Sequence, residues 1–351
     1  MAYELVKKIK ELTPYDPIEG NYEVRLDANE SFIELSVQNL MQSCNEIAVN
    51  RYPDPYASRV VKSFAKLYSL NADNITAGNG SDELISIICS CFLEKGDKVL
   101  TFTPDFSMYA FYSELYELEV VSLGKDENLQ IDVDSAVGYI RKNNIKAVFL
   151  SNPCNPTSVG LNREQILKLI SSVDALVIID EAYMDFWDES VLDSVSKYDN
   201  LIVLKTCSKA IGLAAIRLGF AVANKRITTA FRAAKSPYNV NTITQTLGES
   251  VLSNPDSIRK NIDKIMSSRN DLYKLIKPIC EKSKLIERIY ETVTNFVFIK
   301  TDYSLQIWEA LLAKSIAVRN MKGYLRITCG TDDENDRVIK AFTKILTDLE
   351  G

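Results

Sequence analysis

Seven short apolar runs fill the first two thirds of this 351-residue chain and constrain its fold more than any other feature. They lie at 74–77, 98–102, 118–122, 147–150, 176–179, 201–204 and 218–223. Most are apolar at successive positions rather than at alternate ones, which suits strands whose two faces are both covered. Helical segments at 82–93 and 163–171 separate such runs. The chain therefore reads as α/β, with a seven-stranded, mostly parallel sheet between layers of helices. The seventh run follows the sixth too closely for a helical crossover and is expected to run antiparallel.

This sheet occupies residues 31–240, the larger of two expected domains. Residues 1–30 read as an arm, a short helix stopped by Pro14 and Pro17 and followed by an extended stretch at 24–30. Beyond residue 240 the pattern changes to a long helix at 256–279, a strand at 294–299, a helix at 306–314 and short strands at 316–319 and 324–328. A last helix opens with the capping-box pair Thr331 and Glu334. Residues 241–351 thus form a smaller α/β domain, which the arm is expected to complete.

Composition removes several kinds of chemistry. The net charge of -6 offers nothing to a nucleic acid or an acidic membrane. No apolar run is long enough to span a bilayer, and the N-terminus lacks an apolar signal core, so a cytoplasmic protein is expected. The seven cysteines show no CxxC spacing and point to neither a disulfide framework nor a zinc site. Histidine is absent altogether, which excludes Ser-His-Asp triads, Cys-His pairs and histidine metal cages. Acid-base work falls to Lys, Tyr, Asp or Glu.

The chemistry gathers at strand ends. Lys209 follows the sixth run in Thr206-Cys207-Ser208-Lys209, where partial desolvation would leave its amine neutral enough to attack a carbonyl. Thr206 and Ser208 can donate to a phosphate, and Arg217 can add its charge. Together these suit a phosphorylated aldehyde, pyridoxal 5'-phosphate. A lysine after a strand is commonly a solvated surface residue, so the reading draws its weight from the rest of the chain. Gly78-Asn79-Gly80-Ser81-Asp82-Glu83 opens a helix where amides can hold an anion. Glu83 stands at the third glycine of a dinucleotide fingerprint, so a single phosphate fits better. Asp180 ends the fifth run, where a buried carboxylate needs a cationic partner such as a pyridinium nitrogen, with Tyr183 in reach of a ring oxygen. Asn155 follows the fourth run and can bond a ring hydroxyl. Phe106 can stack on a planar ring or belong to the core.

These segments occur in one order with Leu12-Thr13-Pro14-Tyr15, Leu26-Asp27-Ala28-Asn29-Glu30, Arg51-Tyr52-Pro53-Asp54-Pro55, Pro237-Tyr238-Asn239-Val240 and Leu325-Arg326-Ile327-Thr328. In this the chain resembles the fold-type I, aspartate-aminotransferase superfamily, and within it the histidinol-phosphate branch. The resemblance spans nearly the whole chain. It implies that Lys209 forms a Schiff base with pyridoxal phosphate and shuttles a proton, that Asp180 pairs with the ring nitrogen, and that Asn155 and Tyr183 meet the ring oxygen. It places Phe106 over the ring, where the family usually has tyrosine. Gly80, Ser81, Asp82, Thr206, Ser208 and Arg217 would surround the phosphate, and Tyr52 would reach it from the second subunit of a homodimer. Arg326 would grip the substrate anion, with Tyr15, Asn155 and Arg319 completing the pocket. Histidinol phosphate and 2-oxoglutarate are the expected substrates. An aromatic aminotransferase and a phosphothreonine-type decarboxylase are the rivals on the same scaffold, and a cofactor-loaded regulator without turnover is a third.

The chain also departs from the family pattern. Ser158 stands where the family has glycine, Ser31-Phe32 replaces Asn-Pro, and only seven positions separate Arg319 from Arg326. These changes bear on substrate choice rather than on cofactor chemistry.

Overall fold

The computed structural model describes residues 3–10, 12, 18–42, 44–45 and 47–351. Twelve strands among them form two sheets. β1 (Val24–Leu26) belongs to the arm, and β2 (Ile75–Asn79), β3 (Lys98–Thr103), β4 (Glu119–Gly124), β5 (Ile145–Ser151), β6 (Leu176–Asp180), β7 (Leu201–Thr206) and β8 (Leu218–Ala223) correspond to the seven apolar runs. β9 (Arg288–Ile289), β10 (Phe296–Lys300), β11 (Ile316–Asn320) and β12 (Tyr324–Thr328) follow.

The large sheet has the order β2-β8-β7-β6-β5-β3-β4. β3 to β7 pair in parallel, while β8 runs antiparallel to both β7 and β2. Alternation along each strand sorts the side chains onto two faces, and both faces are covered. Val148, Leu150, Val177, Ile179 and Val203 enter one apolar core. Ala147, Phe149, Ile178, Ile202 and Leu204 enter the other. This double burial is why most of the runs are apolar at successive positions; edge strand β4, which has no buried residue, is the exception.

The second sheet has the order β1-β11-β12-β10-β9, so the arm enters it by parallel pairing of Val24 with Ile316. Its core gathers Phe296, Val297, Leu325 and Ile327 from the strands, and Val338, Phe342 and Ile345 from the last helix. That helix, Asp332–Glu350, starts with the expected capping box, Thr331 and Glu334 each satisfying the other's backbone amide. The long helix Pro255–Lys282 straddles both bodies, with Ile258 in the first core and Ile265, Leu272 and Ile276 in the second.

Candidate active site

Register brings the functional strand ends together. Ser151 at the end of β5 lies opposite Asp180 at the end of β6, and Asp180 lies opposite Leu204 in β7. Thr206 pairs with Gly219, which pairs with Gly78. The carboxyl ends of neighbouring parallel strands are where open α/β sheets hold ligands.

Lys209 sits just beyond β7, half-buried, and its Nζ donates to the carbonyl of Ala28 at 2.8 Å. Burial, aided by the charges of Arg326 and Arg217, pushes its amine down to about 8, against the pull of Glu30 and Asp82. At neutral pH about a tenth of such an amine is free base, against about one part in three thousand for an ordinary lysine.

Asp180 is 4% exposed. Its carboxylate accepts from the Tyr109 hydroxyl at 2.9 Å and from the Ala182 amide at 3.0 Å. Burial nevertheless pushes the acid up to about 7, the two hydrogen bonds acting against it. A carboxylate held this way gains from a cation placed beside it. Tyr183 accepts from Asn29 Nδ2 at 2.8 Å, and its phenol is pushed up to about 12, mainly by burial.

A cradle for an anion forms where β2 turns into the helix Gly80–Cys91. Gly80 has φ +79°, and a Cβ there would stand 2.9 Å from Arg217 Nη2. A Cβ on Gly219 would stand 2.5 Å from the Ser81 amide, so both glycines keep this corner open to a close approach. Arg217 reaches Asp82 at 3.0 Å. The buried hydroxyls of Thr206 and Ser208 bond each other at 3.0 Å. Glu83, the residue that spoils the dinucleotide pattern, braces the turn by accepting from the Asn79 amide at 2.6 Å and from Asn239 at 2.8 Å.

Arg326, from β12, is 8% exposed. Its two terminal nitrogens donate to Asn155 Oδ1 at 2.5 Å and to the Asp27 carbonyl at 2.6 Å, and its guanidinium lies 5.5 Å over the ring of Phe296. Arg319 is its direct partner in the β11–β12 ladder, so the short separation in sequence is that of a hairpin. Phe106 is half-buried and meets Tyr109 edge-on at 5.5 Å.

One expected residue is not brought into this cluster. Tyr52 is 81% exposed and stacks on Tyr238 at 4.5 Å, away from the cluster's hydrogen bonds. Tyr15 lies outside the described residues.

Other members were not legible in sequence. Tyr109 reads there as one more core aromatic. Asp27, Ala28 and Asn29 stood in a motif without a role, and here they hold Arg326, Lys209 and Tyr183. Ser158 has φ 61° and is 1% exposed. Its oxygen meets the amides of Val293 and Thr294 at 2.9 and 3.1 Å and the hydroxyls of Thr292 and Thr294 at 3.0 and 2.7 Å. The serine therefore ties the loop after β5 to the segment leading into β10.

A nucleophilic amine, a carboxyl group that gains from a cation and an anion cradle at adjoining strand ends define a transferase site of one class. The chain belongs to the aminotransferase class I and II family, whose model matches residues 23–342. Its relatives narrow that class. It is 41% identical to the histidinol-phosphate aminotransferase of Clostridium novyi over 97% of each chain, and 40% identical to that of Clostridium kluyveri over 99% of this chain and 100% of the relative. The crystal structure of histidinol-phosphate aminotransferase from Sinorhizobium meliloti in complex with pyridoxal-5'-phosphate has the same fold, with a TM-score of 0.88 and 21% identity over 98% of both chains.

Proposed function

We propose that this aminotransferase works with pyridoxal 5'-phosphate and moves the amino group of histidinol phosphate to 2-oxoglutarate. The observation that carries the reading is the meeting of Lys209, Asp180 and the buried hydroxyls beside Arg217 at neighbouring strand ends. The donor set fits the group: an amine of lowered pKa for its aldehyde, a buried acid for its ring nitrogen, and a glycine-lined corner for its phosphate. When bound, this group supplies a carbonyl that captures an amine and a ring that takes up electrons released from the substrate's Cα.

Each residue has a share in that work. Lys209 Nζ would hold the group by its aldehyde, and the same amine is the base placed to carry the substrate's Cα proton. Asp180 would hold a proton on the ring nitrogen, because a carboxylate that burial disfavours gains from a cation beside it. Tyr183 and Asn155 orient the ring oxygen, and Phe106 covers the ring. The Ser81 amide, Gly80, Asp82, Thr206, Ser208 and Arg217 bind the phosphate. Arg326, joined by Arg319 and Tyr15, takes the substrate's anionic end in a fork that suits carboxylate and phosphate alike.

The setting we propose is a cytoplasmic homodimer composed of an arm at 1–30, a cofactor domain at 31–240 and a smaller domain at 241–351. Tyr52, exposed on its own chain, would reach the partner's phosphate. No helix among the described residues is long and apolar enough to cross a membrane.

Single-turnover absorbance tests the substrate. Enzyme loaded with pyridoxal phosphate is mixed with histidinol phosphate, glutamate or phenylalanine, and conversion to the pyridoxamine form is followed. Fast conversion by the first two is expected. A clear preference for phenylalanine would make this an aromatic aminotransferase, and carbon dioxide released from phosphothreonine would make it a lyase.

A further inference from the structure

Asn29 follows the arm strand β1, is 1% exposed and has φ 53°. Its backbone amide donates to Thr328 Oγ1 at 3.1 Å. The Thr328 hydroxyl donates to Asn29 Oδ1 at 3.0 Å. Asn29 Nδ2 donates to the Tyr183 hydroxyl at 2.8 Å. Asn295 Nδ2 fixes the backbone from the other side, donating to the Asn29 carbonyl at 3.1 Å.

The direction of this chain is set at its start. A backbone amide donates and never accepts, so the Thr328 oxygen receives that proton and keeps its own for an acceptor. Asn29 Oδ1 is the acceptor, which turns Nδ2 toward Tyr183. An amide nitrogen in turn only donates. Tyr183 therefore accepts from Asn29, and its single proton points elsewhere. Among the described residues no hydrogen bond takes that proton.

We infer that Asn29 is a positioning residue that fixes Tyr183 as a hydrogen-bond donor toward the ring oxygen of the group held by Lys209. The inference rests on the pyridoxal-phosphate reading of the site. It gives the Leu26-Asp27-Ala28-Asn29-Glu30 segment a function distinct from joining the second sheet. Residue type matters because asparagine and aspartate both tolerate left-handed backbone, yet only asparagine offers a donor here. Aspartate at this position would accept from Tyr183 and draw its proton back.

The test is equilibrium uptake of pyridoxal phosphate by the empty protein, read by absorbance, with thermal melting as the folding control. Wild type takes up the cofactor. Asn29→Asp keeps the shape and backbone, and its affinity is expected to fall roughly tenfold, the loss of one good hydrogen bond to a charged group. Tyr183→Phe lowers affinity too, and in that background Asn29→Asp should add little, because it acts through the missing hydroxyl. Should Asn29→Asp fail to fold, Thr328→Val removes the hydroxyl that sets the direction and should give the same non-additive pattern at smaller size. Losses that add in the double variants, or an Asn29→Asp protein with wild-type affinity, would overturn the inference while leaving the functional reading intact. Wild-type protein that takes up no pyridoxal phosphate would overturn both.

Discussion

The floor and the roof of the site are built by different means. The floor is made of strand ends: Asp180, Thr206 and Lys209 stand at or just past the termini of β6 and β7, whose residues are all buried but Leu176 at the start of β6. The roof is assembled from far-separated pieces, Asp27 to Asn29 from the arm, Arg326 from β12, and the 292–294 segment held by Ser158. A floor set by sheet register is rigid and suits the cofactor. A roof held by a few side-chain hydrogen bonds can vary without disturbing the sheet, which suits substrate choice.

The largest effect is expected on the floor. Lys209→Ala should lower turnover at least ~10²-fold, the scale of a lost acid-base group. Tyr52→Ala should be inactive for a different reason. Mixing the two proteins should restore activity if Tyr52 serves the partner's site, since one hybrid site would be native. Exchange of subunits without recovery would return Tyr52 to its own chain or to no role.

Next comes Arg326→Lys on the roof. Lysine keeps the charge and loses the fork, so both half-reactions should weaken roughly ten- to a hundredfold, measured as kcat/KM. Cofactor absorbance should stay unchanged. A shifted spectrum would mean that roof and floor are not separable.

Ser158 tests the join between them. Ser158→Ala keeps an alanine at φ 61° and leaves two amides without their acceptor, so it should destabilise by about 1–3 kcal/mol in a denaturant melt. Ser158→Gly relieves the backbone and should cost less, while raising KM more than it lowers kcat. Equal melts for the two variants would remove the backbone argument.

The last effect is a pH dependence of the empty protein. The Asp180 acid is pushed up to about 7 from an unfolded value near 4, so between those pH values the folded state binds more protons than the unfolded one. This contribution makes stability fall as pH rises through that window. Asp180→Asn should flatten that part of the profile, and an unchanged slope would contradict the burial argument.

The contrast also explains what could be read in the sequence. Most of strands β2 to β8 were legible because burial on both faces demands continuous apolar runs, the exposed edge strand β4 excepted, and the antiparallel β8 followed from its short connection to β7. Lys209, Asp180 and Asn155 were legible as polar residues that end such runs. Tyr109 was not, since an aromatic in a helix looks the same whether or not its hydroxyl meets Asp180. The contacts of Asn29 and Ser158 were not, because their partners lie 299 and 136 residues away in Thr328 and Thr294, separations that no local periodicity records. Arg326 was placed by resemblance, while its contact with Asn155 joins two bodies that sequence treats separately.

The central claim is that the Lys209 amine carries pyridoxal phosphate at the strand ends. Borohydride reduction of protein loaded with the cofactor, followed by peptide mass mapping, tests it most directly. The account predicts a pyridoxyl label on Lys209 and its loss in Lys209→Ala. A label on the buried Lys205, or on no lysine, would contradict it.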